Sequence, residues 1–258
     1  MEILDEIKKD YVRDLLHNGK RADDRKLDEY RSITIERNPL TSAEGSAICR
    51  FGKTQVLVSA KVDAVTPFPD RPTEGVLSTN CELLPLAFPT FESGPPSEDS
   101  IELARVVDRG IRSSETLDLN SMVIEGSEDK VWGVFLDVYV LDYDGNFFDA
   151  AALAAMSSLM SARFPKFEDG KVLHEEPTKP LGPKSKVVTC TIANFGGKKV
   201  LDPSYDEEIA AESRLTIATT EDKLCAMQKG KYGSLTKDDV LELIDLSFQK
   251  GAELRALL

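Results

Sequence analysis

The same order of elements occurs twice along this sequence, and it constrains the fold more than any other feature. In the first half, β-type alternation over residues 32–65 is followed by a helical pattern at 97–114. In the second half, short strand patterns within 187–228 are followed by a long helical pattern that begins at Thr236. A proline-punctuated segment, residues 166–185, separates the halves. The order predicts an α+β protein of two β/α subdomains, each with a sheet packed against helices.

These patterns also set the expected boundaries. We expect an N-terminal helix and connector over residues 1–30, a first subdomain over 31–165, a linker over 166–185 and a second subdomain over 186–258. Helices are predicted at 1–16, 97–114, 149–163 and from 236 onward. Strands are predicted at 32–36, 46–50, 55–62, 81–86, 131–143, 187–194, 199–202, 215–220 and 223–228.

The charge balance limits what the surface can bind. The chain has 32 basic and 45 acidic residues, so its formal net charge is −13. Such a surface repels polyphosphates and anionic lipids over most of its area. Binding of nucleic acid therefore requires a local basic patch or a partner that supplies positive charge.

The cysteines and histidines predict no metal site. The four cysteines lie far apart in the sequence, and neither histidine has a second ligand at metal spacing. We interpret the cysteines as free, mostly buried thiols of a reducing compartment. No apolar run approaches the roughly 18 residues of a membrane span, and the charged N-terminus does not resemble a signal peptide. We therefore expect a cytoplasmic protein without membrane contact.

Three arginines define the candidate binding surface. On the second predicted helix, Arg105, Arg109 and Arg112 fall in one row opposite the apolar side, at i, i+4 and i+7. Such a row suits phosphodiester oxygens, because each guanidinium can form paired hydrogen bonds. Glu102 and Asp108 lie three or four residues away, so a solvated face of ion pairs is the alternative. From the residues alone the ion-paired face is favoured, because surface helices of mixed charge are common.

A second unusual stretch, residues 19–31, lies just before the first predicted strand. It contains arginine and acidic residues at high density. Either these charges pair within a polar loop or they carry a function, and spacing alone does not decide between the two.

This stretch and four later motifs together resemble the RNase PH family. The family signature G-x-R-x-D-G-R-x-x-x-E-x-R is similar to Gly19-x-Arg21-x-Asp23-Asp24-Arg25-x-x-x-Glu29-x-Arg31. The other matching motifs are Gly52-x-Thr54-x-Val56, the helix from Ile101 to Arg112, the turn Asp142 to Ala150, and Asp202-Pro203 with Glu207-Glu208. The resemblance spans about residues 19 to 250 and implies the RNase PH-like fold, also described as ribosomal protein S5 domain 2-like.

The sequence departs from the active members of this family at the reaction centre that the resemblance implies. Active members break RNA from its 3′ end with inorganic phosphate, so they need a phosphate cradle and acid or metal help for the leaving oxygen. Where they have a G-[ST]-R cradle, residues 145–147 read Gly-Asn-Phe. Where the active exosome subunit has a run of arginines, residues 97–99 read Ser-Glu-Asp.

A pair of aspartates six residues apart is also missing from the second half. An ungapped match places Glu208 and Arg214 at their positions, and an arginine can serve neither as a metal ligand nor as an acid at neutral pH. A shift of one residue gives Glu207 and Ser213. A small gap would bring Glu212 close to one of the two positions.

These departures point to one branch of the family, because the chain resembles the non-catalytic RNase PH-like subunit of the archaeal exosome ring. The resemblance implies a hexameric ring of three heterodimers. In it, this chain would structure the active site of the catalytic RNase PH-like subunit and bind single-stranded RNA through Arg105, Arg109 and Arg112. It further implies S1/KH or zinc-ribbon cap proteins as partners, and no catalytic residue, metal or cofactor in this chain.

Two other interpretations stay open at the level of the sequence. In the first, the chain is an active phosphorolytic 3′–5′ exoribonuclease with Glu207, Glu208 and Glu212 in place of the aspartates. An assay of the pure chain with divalent metal, phosphate and RNA separates this from the inactive subunit. In the second, the chain is an acidic cytosolic domain that binds a small molecule, and it is then expected to be a monomer.

Overall fold

The computed structural model describes residues 2–127 and 129–258, and Met1, which falls in the first predicted helix, lies outside them. The helices are α1 (Glu2–His17), α2 (Glu98–Ser113), α3 (Phe147–Ser161), α4 (Tyr205–Ala210) and α5 (Lys237–Arg255). The strands are β1 (Ile33–Arg37), β2 (Gly45–Phe51), β3 (Thr54–Val65), β4 (Val76–Leu83), β5 (Val131–Asp142), β6 (Arg163–Glu168), β7 (Lys171–Pro180), β8 (Val188–Phe195), β9 (Lys198–Leu201), β10 (Ser213–Thr219) and β11 (Leu224–Gly230).

The first half forms a five-stranded sheet in the order β1-β2-β3-β5-β4. All neighbours pair antiparallel except β4 and β5, which are parallel. A parallel pair needs a crossover connection, and α2 lies within the one between these strands. This places α2 beside β4, where the apolar side of the helix is buried.

The second half forms a four-stranded antiparallel sheet in the order β11-β10-β8-β9. Helix α5 packs on β8 and β10, and α2 also contacts β11. Helix α2 therefore touches both sheets, so the arginine row lies on an element that is fixed by the two halves together.

Helix α3 lies between the two sheets and contacts β2 and β3 on one side and β8 on the other. Thirteen of its 15 residues are buried, most of them alanine, serine or other small side chains. Small side chains let a helix approach a sheet closely on several sides, which explains how one helix can join both cores. The alanine-rich composition of this segment is in keeping with close packing on a sheet, while its position between two sheets is seen only in the structure.

The predicted elements are largely confirmed, and the main differences concern one strand, two helices and the segment predicted as a linker. The strand expected at 81–86 is β4, shifted toward the N-terminus because its polar residues pair in register with buried β5 while Pro85 follows the strand. Helix α3 begins at Phe147, two residues early, because Asn146 caps it. Helix α4 is absent from the sequence-based prediction, since its six residues are too few to show a periodic pattern.

The segment predicted as a linker contains a β-hairpin. Strand β7 pairs antiparallel with β6, and the pairing shifts register on both sides of Pro165. Proline is tolerated where the strand bulges, because no ladder hydrogen bond is required there. The division of the chain into domains at 166–185 remains a prediction.

The four cysteines are free thiols, and all but Cys225 are buried, as the sequence predicts. None of the helices in the described part of the chain combines the length and apolar character needed to cross a bilayer.

Candidate nucleic-acid interface

The arginine row lies on the side of α2 that faces away from the core. Ser97 caps the helix by accepting a hydrogen bond from the backbone N–H of Ser100 at 3.2 Å. The buried side is formed by residues at helical spacing: Leu103, Val106, Val107, Gly110 and Ile111. This burial fixes the rotation of the helix about its axis and turns the arginines outward.

The three arginines have different surroundings. Arg105 is exposed, and no described residue pairs with it. Arg109 is partly buried and donates from Nη1 to Gln228 Oε1 at 3.4 Å. Arg112 forms an ion pair with Asp108 at 2.9 Å and also donates to the Leu77 carbonyl oxygen at 3.1 Å. The ion-paired interpretation therefore describes Arg112 and not the whole row.

The three arginines of the row line two separate surface cavities. Arg105 and Arg109 line one of about 380 Å³. Arg112 lines another of about 330 Å³, together with Lys184. The structure thus brings Arg105 and Arg109 to one recess and places Arg112 beside the next. The arginines of the row remain candidates for phosphate contacts.

The turn that corresponds to the phosphate cradle is built from Gly145 and Asn146. Gly145 has φ +86°, and a Cβ there would lie 2.4 Å from the carbonyl carbon of Ser204, so only glycine fits. Asn146 is left-handed and caps α3, and its Nδ2 donates to Asp149 Oδ2 at 2.9 Å and Asp202 Oδ1 at 2.7 Å. Its side chain is therefore fully used within the protein.

Aromatic side chains surround position 147, which the motif resemblance aligns with the cradle arginine. Phe147 is 5% exposed, and its ring centroid lies 5.1 Å from that of Tyr143 and 4.7 Å from that of Phe148. Phe88 and Tyr205 extend the same cluster. These rings offer no cation to a phosphate ion, so the turn lacks the charge that a phosphate cradle needs.

Glu208, at the first aspartate position, is engaged within the protein. It accepts hydrogen bonds from the backbone N–H of Asn146 at 2.9 Å and from the Tyr143 hydroxyl. Burial raises the pKa of Glu208, and the charge of Arg214 and these hydrogen bonds offset the increase only in part. Sequence reasoning missed Tyr143, because a tyrosine at the end of a strand gives no local signal of its partner.

Arg214, at the second aspartate position, is held by contacts on two sides. Its Nη2 donates to Glu102 Oε1 at 2.9 Å, and its guanidinium carbon lies 4.1 Å from the centroid of the Phe148 ring. A divalent cation needs several oxygen ligands. The Glu208 carboxylate already accepts two hydrogen bonds, and the other position holds the Arg214 cation. These residues therefore do not fit a metal ion. Among the described residues, no group of three or more His, Cys, Asp or Glu is arranged to hold one.

The other carboxylates considered as replacements lie in different surroundings. Glu207 forms a buried, two-point ion pair with Arg21, with N–O distances of 2.8 and 2.6 Å. Glu212 accepts a hydrogen bond from the backbone N–H of Gly196 and lines a cavity beside Arg13. Neither forms a carboxylate pair with Glu208.

The charged stretch at 19–31 joins the two halves. Arg21 also donates to the Leu201 and Asp202 carbonyl oxygens, at 3.0 and 2.9 Å. Arg31 pairs with the Asp202 carboxylate at 2.8 Å and donates to the Gly145 carbonyl oxygen at 3.1 Å. The charged residues of the stretch 19–31 therefore pair mainly with the second half and with the turn before α3. This gives the stretch a structural role.

Comparisons with known proteins identify related chains. Models of the 3′ exoribonuclease family match residues 29–165 as domain 1 and 186–250 as domain 2. The exosome complex component Rrp42 of Methanothermobacter thermautotrophicus is 47% identical over 259 residues, covering 98% of this chain and 95% of that protein.

Two solved structures are similar throughout. A chain of the Archaeoglobus fulgidus exosome with RNA bound to the active site has a TM-score of 0.92 and 44% identity, and the match covers 98% of each chain. A chain of an archaeal exosome core has a TM-score of 0.87 and 41% identity, with 98% of this chain and 96% of that chain covered.

Proposed function

Because the chain belongs to the RNase PH family of 3′ exoribonucleases and has the RNase PH-like fold, we propose that it is a non-catalytic subunit of an exosome. It structures the active site of a catalytic RNase PH-like partner, and it binds the RNA backbone in the channel of their hexameric ring. The names of its relatives support this assignment, since the similar chains in full-length matches are exosome components.

One observation carries the claim that the chain has no turnover of its own. The position of the second aspartate holds Arg214, which is stacked on Phe148 and paired with Glu102. A guanidinium has only donors and stays protonated, so it can neither bind a cation nor protonate a leaving oxygen. The remaining Glu208 is buried under Tyr143 and Asn146.

The arginine row supports the RNA-binding part of the proposal. Arg105 and Arg109 line one recess on the outer side of α2, and each can form paired hydrogen bonds with phosphate oxygens. Glu98 and Glu102 also line this recess, and Glu102 is paired with Arg214. Acidic residues more than about 8 Å away are largely screened at physiological salt. Arg112 joins the row by exchanging its contact with Asp108 for a phosphate.

The proposal extends to the assembly and its location. We place the chain in a ring of three heterodimers with S1/KH or zinc-ribbon cap proteins, in the cytoplasm. The free thiols are in keeping with a reducing compartment.

Phosphorolysis by the separated and the assembled chain tests the proposal. The full chain, given single-stranded RNA, inorganic phosphate and Mg²⁺, is expected to release no nucleoside diphosphate. Addition of the catalytic RNase PH-like subunit from the same organism is expected to produce release. Phosphate-dependent release by the chain alone, lost in Glu208→Gln, would instead identify an active exoribonuclease.

A further inference from the structure

Glu102 connects the arginine-bearing helix to the second sheet. Its Oε1 atom accepts from Arg214 Nη2 at 2.9 Å and from Gln228 Nε2 at 3.1 Å. These three side chains come from α2, β10 and β11. The two sheet residues therefore hold one carboxylate of the helix between them.

Arg214 is placed by the strand pairing and by an open position beside it. It lies opposite Gly230 in the β10–β11 pair, and a Cβ at Gly230 would lie 2.6 Å from Arg214 Nη2. The absence of that side chain lets the guanidinium extend along the sheet to Phe148 and Glu102. The side chain is only 13% exposed, so its position is fixed before any ligand arrives.

The amide of Gln228 is oriented by its two neighbours. Glu102 only accepts and Arg109 only donates, so Nε2 must face Glu102 and Oε1 must face Arg109. The hydrogen bond from Arg109 Nη1 to Gln228 Oε1 is long, at 3.4 Å. It directs the guanidinium without binding it tightly, so the other donors of Arg109 stay available for a ligand.

We propose that Gln228 is a positioning residue that orients the Arg109 guanidinium toward RNA phosphate, with the Arg214–Glu102 ion pair holding Gln228 in place. The inference rests on the proposed RNA-binding function. In this arrangement Arg214, which stands where an aspartate is expected, anchors the binding surface. Arg105 has no such support among the described residues and serves as the internal comparison.

Affinity for RNA in a matched set of variants tests this role. The full chain is assembled with its catalytic subunit, and a single-stranded adenosine 30-mer is titrated without phosphate so that no phosphorolysis occurs. Gln228→Leu is expected to weaken binding about two- to ten-fold, the value of fixing one long side chain before association. The salt slope should stay at its wild-type value, because the number of phosphate contacts is unchanged.

The effect of Gln228→Leu on affinity is also measured in a chain that already carries Arg109→Ala. Alone, Arg109→Ala should weaken binding and reduce the magnitude of the salt slope by about 0.7, as expected for one lost phosphate contact to single-stranded RNA. With Arg109→Ala present, Gln228→Leu should have no further effect. An equal effect in both backgrounds would overturn the positioning role, because Gln228 would then act independently of Arg109.

A charge-conserving exchange guards against a loss of folding. Gln228→Glu places a second carboxylate beside Glu102 and should weaken binding. The double variant Glu102→Gln with Gln228→Glu restores an acceptor for Arg214, a donor between the two side chains and an acceptor for Arg109. Its affinity should exceed that of Gln228→Glu alone but stay below the wild-type value, because the relocated carboxylate binds Arg109 more firmly than the amide oxygen does. An affinity no better than that of Gln228→Glu in a folded assembly would contradict the proposal.

The outcomes separate this inference from the proposed function. If Arg105→Ala, Arg109→Ala and Arg112→Ala all leave RNA affinity unchanged, the row does not bind RNA, and this inference fails together with the RNA-binding part of the proposed function. If they weaken binding but Gln228→Leu does not, only the positioning role fails.

Discussion

Arg214 lies over the ring of Phe148, with its guanidinium carbon 4.1 Å from the ring centroid. The ring belongs to the first turn of α3, directly after the turn that corresponds to the phosphate cradle. A cation of the protein itself therefore lies beside this turn, between the two halves of the chain. The residues around this turn are packed against one another, since Phe148 and Glu208 are buried and the Arg214 side chain is 13% exposed.

Restoring the aspartate is therefore expected to harm the protein without creating an enzyme. Arg214→Asp removes the cation–π contact and the charged hydrogen bond to Glu102, and it adds a carboxylate near Glu208. We expect the free energy of unfolding to fall by about 2 to 4 kcal/mol, measured by denaturant titration. The isolated variant should release no nucleoside diphosphate.

Arg214→Lys is the control for this variant. It loses the planar stacking and the paired donors of the guanidinium. Because it keeps the positive charge, its loss of stability should be smaller than that of Arg214→Asp. Unchanged stability in Arg214→Asp, or a gain of phosphorolysis, would contradict the role assigned to the guanidinium.

The ion pair between Arg21 and Glu207 is expected to be essential for stability. Both side chains are almost fully buried, and they join the N-terminal connector to α4. Arg21→Ala leaves the Glu207 carboxylate buried without its partner, so we expect a loss of about 3 to 5 kcal/mol in the free energy of unfolding.

The surface pair of Arg71 and Glu74 supplies the comparison, because Arg71 is 58% exposed. Arg71→Ala should change stability by less than about 1 kcal/mol. If the two variants lose similar amounts of stability, the connector does not hold the halves together as described.

Acid unfolding is expected to depend on Arg31. Burial alone would raise the pKa of Asp202, but the hydrogen bonds and charge of Arg31 outweigh burial and hold this pKa below its usual value. A lowered folded-state pKa contributes stability above the unfolded value of about 4, and this contribution is lost as pH falls through the folded pKa.

Arg31→Leu should therefore move the midpoint of acid unfolding to higher pH, followed by circular dichroism. Arg71→Leu, which changes an exposed arginine, should leave the midpoint in place. A midpoint that does not move in Arg31→Leu would show that the Asp202 carboxylate is stabilised by other donors.

Salt dependence of RNA binding reports on the arginine row. In the assembled ring, each of Arg105→Ala, Arg109→Ala and Arg112→Ala should reduce the magnitude of the salt slope by about 0.7. Arg112→Ala should cost the least affinity, because Arg112 gives up its ion pair with Asp108 before it binds a phosphate. Lys171→Ala on the exposed strand β7 is the matched control, and a slope change as large as in the row would indicate nonspecific electrostatics.

Periodicity in the sequence predicts most of the fold because its elements are long and regular. Local patterns give the apolar side of α2, the start of α5 near Thr236 and the presence of α3. The hairpin of β6 and β7 does not follow from such patterns, because prolines usually indicate the end of a strand. Pro165 is tolerated at a shift in the strand register, and that shift is known only from the structure.

The site is predictable only in part, because its contacts join residues far apart in the sequence. The absence of a cradle arginine and of an aspartate at 214 is visible in the motifs. The hydrogen bond from the Tyr143 hydroxyl to Glu208, 65 residues away, is not visible in them. Nor does spacing along α2 reveal that Glu102 pairs with Arg214, 112 residues away. Among the residues that the structure describes, Asp108 alone forms an ion pair with an arginine of the row.

The rate of RNA phosphorolysis by an assembled ring that carries Glu208→Gln tests the central claim most directly. The amide keeps an oxygen acceptor for the Asn146 backbone N–H, so the fold should persist and be verified by thermal unfolding. If the chain holds RNA without cutting it, nucleoside diphosphates should be released at about the wild-type rate. A decrease of about 100-fold or more, the cost of losing a general acid, would show that this chain takes part in the reaction.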